Sequence, residues 1–150
     1  MTSPRDIFEI SLPLNPQDWH GYTSEQVWAS AVGDGRYKLE NTPFFAHGLA
    51  LGDVVRARKS KGKLLFEAVM TPSGHATYRI IIEDEASPEE VNQFWGRLDA
   101  LGCTCEDIEG DLPLFSIDVP PGIDLDTVRA RLQEGEDYGV WSFEEACCPA

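Results

Sequence analysis

The sequence predicts an α+β protein in two parts: a strongly bent antiparallel β-sheet or partial barrel over residues 1–72, then a ferredoxin-like βαββαβ sandwich over 73–150. Three observations carry this. Before Pro72, apolar residues alternate in short runs separated by glycine-containing turns, the period of hairpin strands. After it, two amphipathic helical stretches interrupt four apolar runs in the order β-α-β-β-α-β. The charge changes at the same place: residues 1–72 hold eight Lys or Arg and eight Asp or Glu, whereas residues 73–150 hold four and 18. A chain of 150 residues suffices for one ordinary domain or two small units sharing a core, so the two parts are expected to pack as one body.

In chain order, Asp6 to Leu14 sets Phe8, Ile10 and Leu12 on one face of a strand that Pro13 and Pro16 end. Asn15 to Ser24 reads as a loop with Trp19 tucked beneath it. Gly33-Asp34-Gly35 supplies the positive-φ residues of a tight hairpin between Val27–Val32 and Arg36–Glu40. Without a third glycine and a following helix, it is not a dinucleotide fingerprint. Asn41-Thr42-Pro43-Phe44-Phe45 packs two aromatics behind a proline, and Gly52-Asp53 turns into a second hairpin, Val54 to Met70. Its tip, Lys59 to Lys63, reads as a solvated turn whose like charges discourage edge pairing.

Beyond Ser73, Tyr78 to Glu83 is a strand. Ser87-Pro88-Glu89-Glu90 is a capping box with proline at the first helical position, opening a helix with Val91, Phe94, Trp95, Leu98 and Leu101 on one face, stopped by Gly102. Cys103 to Ile108 and Leu114 to Val119 are strands, the latter with Phe115, Ile117 and Val119 inward and Ser116 and Asp118 outward. Asp124 or Asp126 caps a second helix bearing Leu125, Val128 and Leu132, ended near Gly135. Val140 to Ala146 is the last strand, with Trp141 and Phe143 inward. Numbered within this half, the strands should lie in the spatial order four, one, three, two.

Several function classes are disfavoured. A half carrying net −14 repels phosphate backbones, so no nucleic-acid partner is expected. No apolar run approaches bilayer length, and Arg5, Asp6 and Glu9 interrupt what a signal peptide would keep apolar, so a cytoplasmic location without membrane contact is expected. Cys103 and Cys105 fall at the opposite sheet edge from Cys147 and Cys148, against a shared metal; free thiols and no cofactor are expected.

The polar residues concentrate between Thr71 and Arg79. Ser73 and His75, two apart, would project to one side of an extended chain, as a serine–imidazole nucleophile requires, yet no orienting acid, oxyanion hole or Gly-x-Ser-x-Gly elbow is marked. Arg79 should approach Asp118 and Glu144 across the sheet, an arrangement more often structural than catalytic. Asn41, Phe44, Phe45, Ser73, His75, Thr77, Arg79 and Asp118 form the candidate ligand or partner site, with no catalytic residue assigned. The open face of the second sheet is free for a protein partner, for self-association or for packing against the N-terminal strands.

Trp28, Gly33-Asp34-Gly35, Asn41 to Phe45, Gly52 to Val55, Ser73-Gly74-His75 with Thr77-Tyr78-Arg79, and the ending from Glu134 through Trp141 to Cys147 together resemble a bacterial family catalogued as domain of unknown function 4265. The resemblance spans roughly Phe8 to Cys147. It implies a small bacterial protein and supplies no activity.

The leading expectation is a non-catalytic protein-binding module, in one concrete form an immunity or antitoxin-type protein whose acidic surface covers a basic partner. The alternatives are a sensor of small anionic ligands, or a small enzyme, using the cleft between halves with Arg79 as anchor, and a structural homodimer.

Overall fold

The computed structural model describes residues 6–108, 110 and 112–149; Arg5 lies outside them. Among the described residues the fold is mixed α+β, with nine strands in two sheets and two helices.

Strands β1 (Ile7–Pro13), β2 (Ser24–Gly33), β3 (Arg36–Leu39), β4 (Val54–Ser60) and β5 (Lys63–Thr71) pair in sequence, each antiparallel to the next. The sheet bends until β5 meets β1 in a short parallel contact at Ile10–Leu64 and Ser11–Leu65, closing the ring. Period-two alternation fills the interior: Ile10, Leu12, Val27, Ala29, Leu39, Val55 and Leu64 form one buried cluster. Burial of such side chains is worth about 1.5–3 kcal/mol each. The β2–β3 turn is Asp34-Gly35, both at positive φ (54° and 72°), which suits the right-handed twist of the flanking strands.

Strands β6 (Ala76–Ile82), β7 (Thr104–Asp107), β8 (Leu114–Val119) and β9 (Trp141–Cys147) form the second sheet in the order β7-β8-β6-β9, all antiparallel, as the sequence pattern requires. Helices α1 (Pro88–Asp99) and α2 (Leu125–Asp137) cover one face. Between the layers lies a second cluster that includes Tyr78, Ile80, Phe94, Leu98, Ile117, Val128, Leu132 and Trp141. The capping box is formed: Glu90 N–H donates to Ser87 Oγ and Ser87 N–H to Glu90 Oε1, both at 3.1 Å. In α2, Asp124 occupies the N-cap position, where its Oδ2 accepts from Thr127 Oγ1 at 2.6 Å.

Four expectations are corrected. Gly135 does not end α2, which continues to Asp137 with Gly139 at φ 75° beyond it; Gly135 is glycine because a Cβ there would land in the Trp141 ring. Trp19 is not tucked under its loop but 51% exposed. Strand β2 starts at Ser24, so Glu25 enters the ring in phase with Val27 and Ala29. The second face of the β6–β9 sheet is not open: Ser116, Asp118, Thr77 and Arg79 on it are all buried, beneath the irregular segment 40–53 that joins β3 to β4. Of the three roles expected for that face, packing against the N-terminal half is the one the structure fills; self-association through it would require the segment to leave.

Candidate functional site

Segment 40–53 has no repeating backbone pairing, so its amides and carbonyls need partners from elsewhere if they are to be buried. Side chains supply them. Glu25 accepts three successive N–H groups, from Phe44 at 2.5 Å and from Phe45 and Ala46 at 2.9 Å. Asn41 Oδ1 accepts from Trp28 N–H at 2.7 Å, fixing the start of the segment to β2. From the sheet below, Ser116 Oγ donates to Thr42 O at 3.3 Å, Thr77 Oγ1 to Leu49 O at 2.9 Å, and Arg79 Nη2 to Ala46 O. Thr42 N–H donates to Glu106 Oε2 at 3.3 Å, and Gly48 N–H to Ala146 O at 2.8 Å. The segment is a strap stitched on both sides.

At one end of the strap lie Ser73, His75 and Asp118. Ser73 Oγ donates to Leu51 O at 2.8 Å and accepts from His75 N–H at 3.1 Å. Buried Asp53 accepts from Ser73 N–H at 2.8 Å and Ala50 N–H at 3.0 Å. The imidazole turns the other way, with Nδ1 2.7 Å from Asp118 Oδ1. Hence the serine–imidazole pair conceivable from spacing does not form; the hydroxyl proton is engaged by a carbonyl. Burial raises the Asp118 carboxyl above its usual range, against the opposing pull of the imidazole. Burial likewise raises Glu106, with the Thr42 N–H opposing it. A cavity of about 480 Å³ beside His75 is also lined by Cys147 and Cys148. Burial pushes the Cys147 thiol up, away from the thiolate a nucleophile needs. All four cysteines are free, and among the described residues no group of three or more His, Cys, Asp or Glu could hold a metal.

At the other end lies Arg79, 2% exposed. Beyond its bond to Ala46 O, its Nη1 stands 3.5 Å from Glu144 Oε1, and Asp118 is left to His75. Arg79 Nε and Nη1 and Glu144 Oε1 are buried without a hydrogen-bond partner among the described residues. Burial lowers the guanidinium's affinity for its proton, with Glu144 the largest of the compensating charges. Arg79 and Glu144 border a cavity of about 200 Å³, with Ile81, Leu114 and Phe143 as apolar wall and Trp19 at its side. Trp19 belongs to an aromatic group with His20, Tyr22 and Phe45, their ring centroids 4.9–5.9 Å apart.

The family model described as Domain of unknown function (DUF4265) matches residues 25–143. The chain belongs to that family. The DUF4265 match opens on Glu25, the carboxylate that holds the strap, and takes in seven further residues of the stitching and both ends of the covered face: Asn41, Asp53, Ser73, His75, Thr77, Arg79 and Asp118. A crystal structure of a hypothetical protein from Neisseria gonorrhoeae is similar with a TM-score of 0.80 at 20% identity, covering 100% of this chain and 99% of that chain. At that identity the likeness carries the fold alone. Comparison with curated proteins finds no match.

Thus the eight residues singled out from sequence all meet the strap or the sheet face beneath it, except that Asn41 turns to β2 and Phe45 enters the aromatic group. Sequence reasoning missed Glu25, Asp53 and Glu144 as members. For Glu25 a signal existed: a carboxylate at an inward position of an alternating strand must have donors waiting for it.

Proposed function

We propose that the protein is a non-catalytic binding module whose acidic helical layer meets a basic protein partner, in one form an immunity or antitoxin-type protein. On this reading the chain is two units, 1–72 as a small bent β-sheet or partial barrel and 73–150 as an acidic ferredoxin-like sandwich, packed as one body. What supports it is the distribution of charge and exposure at one end of the helical layer. Tyr138 is 73% exposed, directly after α2. Glu83 N–H donates to Val140 O at 2.9 Å, which brings the exposed run Glu83-Asp84-Glu85 alongside Glu136, Asp137 and Tyr138.

These carboxylates have no ion-pair partner among the described residues, because the four arginines of this half are engaged elsewhere. Arg97 and Arg131 both pair with Glu134, Arg129 with Asp126 and Glu145, and Arg79 with Glu144. Glu136 and Asp137 also sit in the last turn of α2, which holds no basic residue, and the macrodipole disfavours anions there. Acidic side chains kept where they weaken the helix, around a protruding aromatic, suit an interface with a cationic surface.

The test is capture of a basic protein at low and high salt by the wild type, by Tyr138→Ala, and by the triple variant Glu83→Lys, Asp84→Lys, Glu85→Lys. The reading expects one protein retained at low salt, released as ionic strength rises, and lost with either variant. Retention unaffected by both variants would refute it.

A further inference from the structure

A buried arginine normally has its donors filled, since an ion withdrawn from water costs several kcal/mol unless hydrogen bonds replace the lost hydration. Arg79 departs from this. It is 2% exposed, its Nε and Nη1 are unfilled among the described residues, and it lines a cavity. Across from it, Glu144 Oε1 is equally buried and unfilled, and the 3.5 Å between them is longer than the roughly 2.7–2.9 Å of a charge-assisted hydrogen bond. The cavity is therefore bordered by one cationic and one anionic group side by side, each with hydrogen-bonding capacity to spare, against the apolar surfaces of Ile81, Leu114 and Phe143 and the hydroxyl-bearing Ser142.

These facts restrict what fits. An inorganic anion would satisfy Arg79 but face Glu144 at contact distance, a like-charge contact in a poorly solvated place. A lone amine has the converse difficulty with Arg79. A molecule bearing both charges on neighbouring carbons answers both groups at once. At about 200 Å³ the cavity equals roughly six or seven waters at about 30 Å³ each, below the range of drug-sized pockets, so the occupant is small. Its remaining surface must be mainly apolar to match a wall in which, among the described residues, Ser142 is the one further polar aliphatic side chain.

We propose that the cavity beside Trp19 is a binding site for a small α-amino acid with an apolar side chain, its carboxylate held by Arg79 and its ammonium by Glu144. The aliphatic part lies along Ile81, Leu114 and Phe143, and Trp19 covers the mouth. This site is separate from the acidic surface around Tyr138, so the two stand or fall independently.

The experiment titrates the full chain with L-leucine, L-valine, isovalerate, isopentylamine and inorganic phosphate, following heat and tryptophan emission. The expected result is saturable binding of the two amino acids, with isovalerate and isopentylamine each roughly ten- to a hundredfold weaker, the loss of one hydrogen-bonded charge, and no binding of phosphate. Glu144→Gln should weaken both amino acids by a similar factor and bring valine and isovalerate, which is valine without its ammonium, to near equality. Trp19→Phe should abolish the emission change while calorimetric binding persists. Arg79→Lys should abolish binding, but replacing a buried arginine risks the fold, so the partly exposed Glu144 carries the decision. The proposal is overturned if neither amino acid binds at about 10 mM, corresponding to less than about 3 kcal/mol of affinity. It is equally overturned if isovalerate or phosphate matches valine in the wild type, if Glu144→Gln leaves valine and leucine affinity unchanged, or if emission still responds in Trp19→Phe.

Discussion

The two ends of the strapped sheet face hold similar residue types and use them differently. At the His75 end, Ser73, His75, Asp53 and Asp118 are tied to backbone or to one another at 2.7–3.1 Å. At the Arg79 end, a buried cation and its carboxylate leave three polar atoms unfilled beside a cavity. The contrast teaches that a Ser, His and Asp in proximity need not make a reactive site. When each proton already has a destination in the fold, the group is architecture, and chemistry or binding is to be sought where hydrogen-bonding capacity is left over.

Breaking the saturated network should therefore cost stability in proportion to the donors orphaned. The largest effect belongs to Glu25→Ala, which strips acceptors from two buried amides and one half-buried one; a loss of about 3–5 kcal/mol is expected in urea unfolding, and a loss below about 1 kcal/mol would mean the strap is held by something else. Gly135→Ala comes next. Although alanine is the better helix former by about 1 kcal/mol, its methyl would overlap Trp141, so a net destabilisation of about 1–3 kcal/mol is expected. Thr77→Val, isosteric but unable to donate to Leu49 O, should cost about 1–2 kcal/mol in the same assay.

Glu136→Lys with Asp137→Lys sharpens the contrast from the opposite direction. Replacing anions at a helix C-terminus by cations should stabilise the fold by about 0.3–1 kcal/mol per site while abolishing capture of a basic partner. A gain in stability with capture retained would detach these residues from binding. The smallest effect is expected from Glu106→Gln. Burial raises the folded-state carboxyl of Glu106 above its ordinary value, so the native state holds this proton more tightly than the unfolded chain. That penalises the fold as pH rises through the raised value and vanishes once both states are protonated. The variant should accordingly be slightly more stable than wild type near pH 7, with the difference closing below the ordinary carboxylate range.

Much of the fold was legible because its signals are local. The capping box at Ser87, the Asp34-Gly35 turn and the inward series Phe115, Ile117 and Val119 each follow from a few neighbouring residues, and strand order follows from the sequence of elements. The strap was not legible. Residues 40–53 have neither helical nor strand period, and their partners, Glu25, Thr77, Arg79 and Ser116, stand far away in the chain. Period-two reading correctly put Ser116 and Asp118 on the face away from the helices, but polarity alone does not distinguish a face in water from one bonded to buried backbone. Gly135 was misread for a related reason: a glycine near a helix end is usually a stop signal, and only the packing of Trp141, six residues later, reveals its use.

Hydrogen exchange at the strap amides tests the central claim most directly, namely that the polar residues beneath and beside segment 40–53 serve to hold it against the sheet. Exchange at Phe44, Phe45 and Ala46 should be as slow in the wild type as at core positions of β2, and Glu25→Gln should accelerate those amides selectively while β2 stays protected. Rapid exchange of these amides in the wild type would contradict the account, because a strap that opens freely would release His75, Arg79 and Asp118 to the solvent-facing role denied them here.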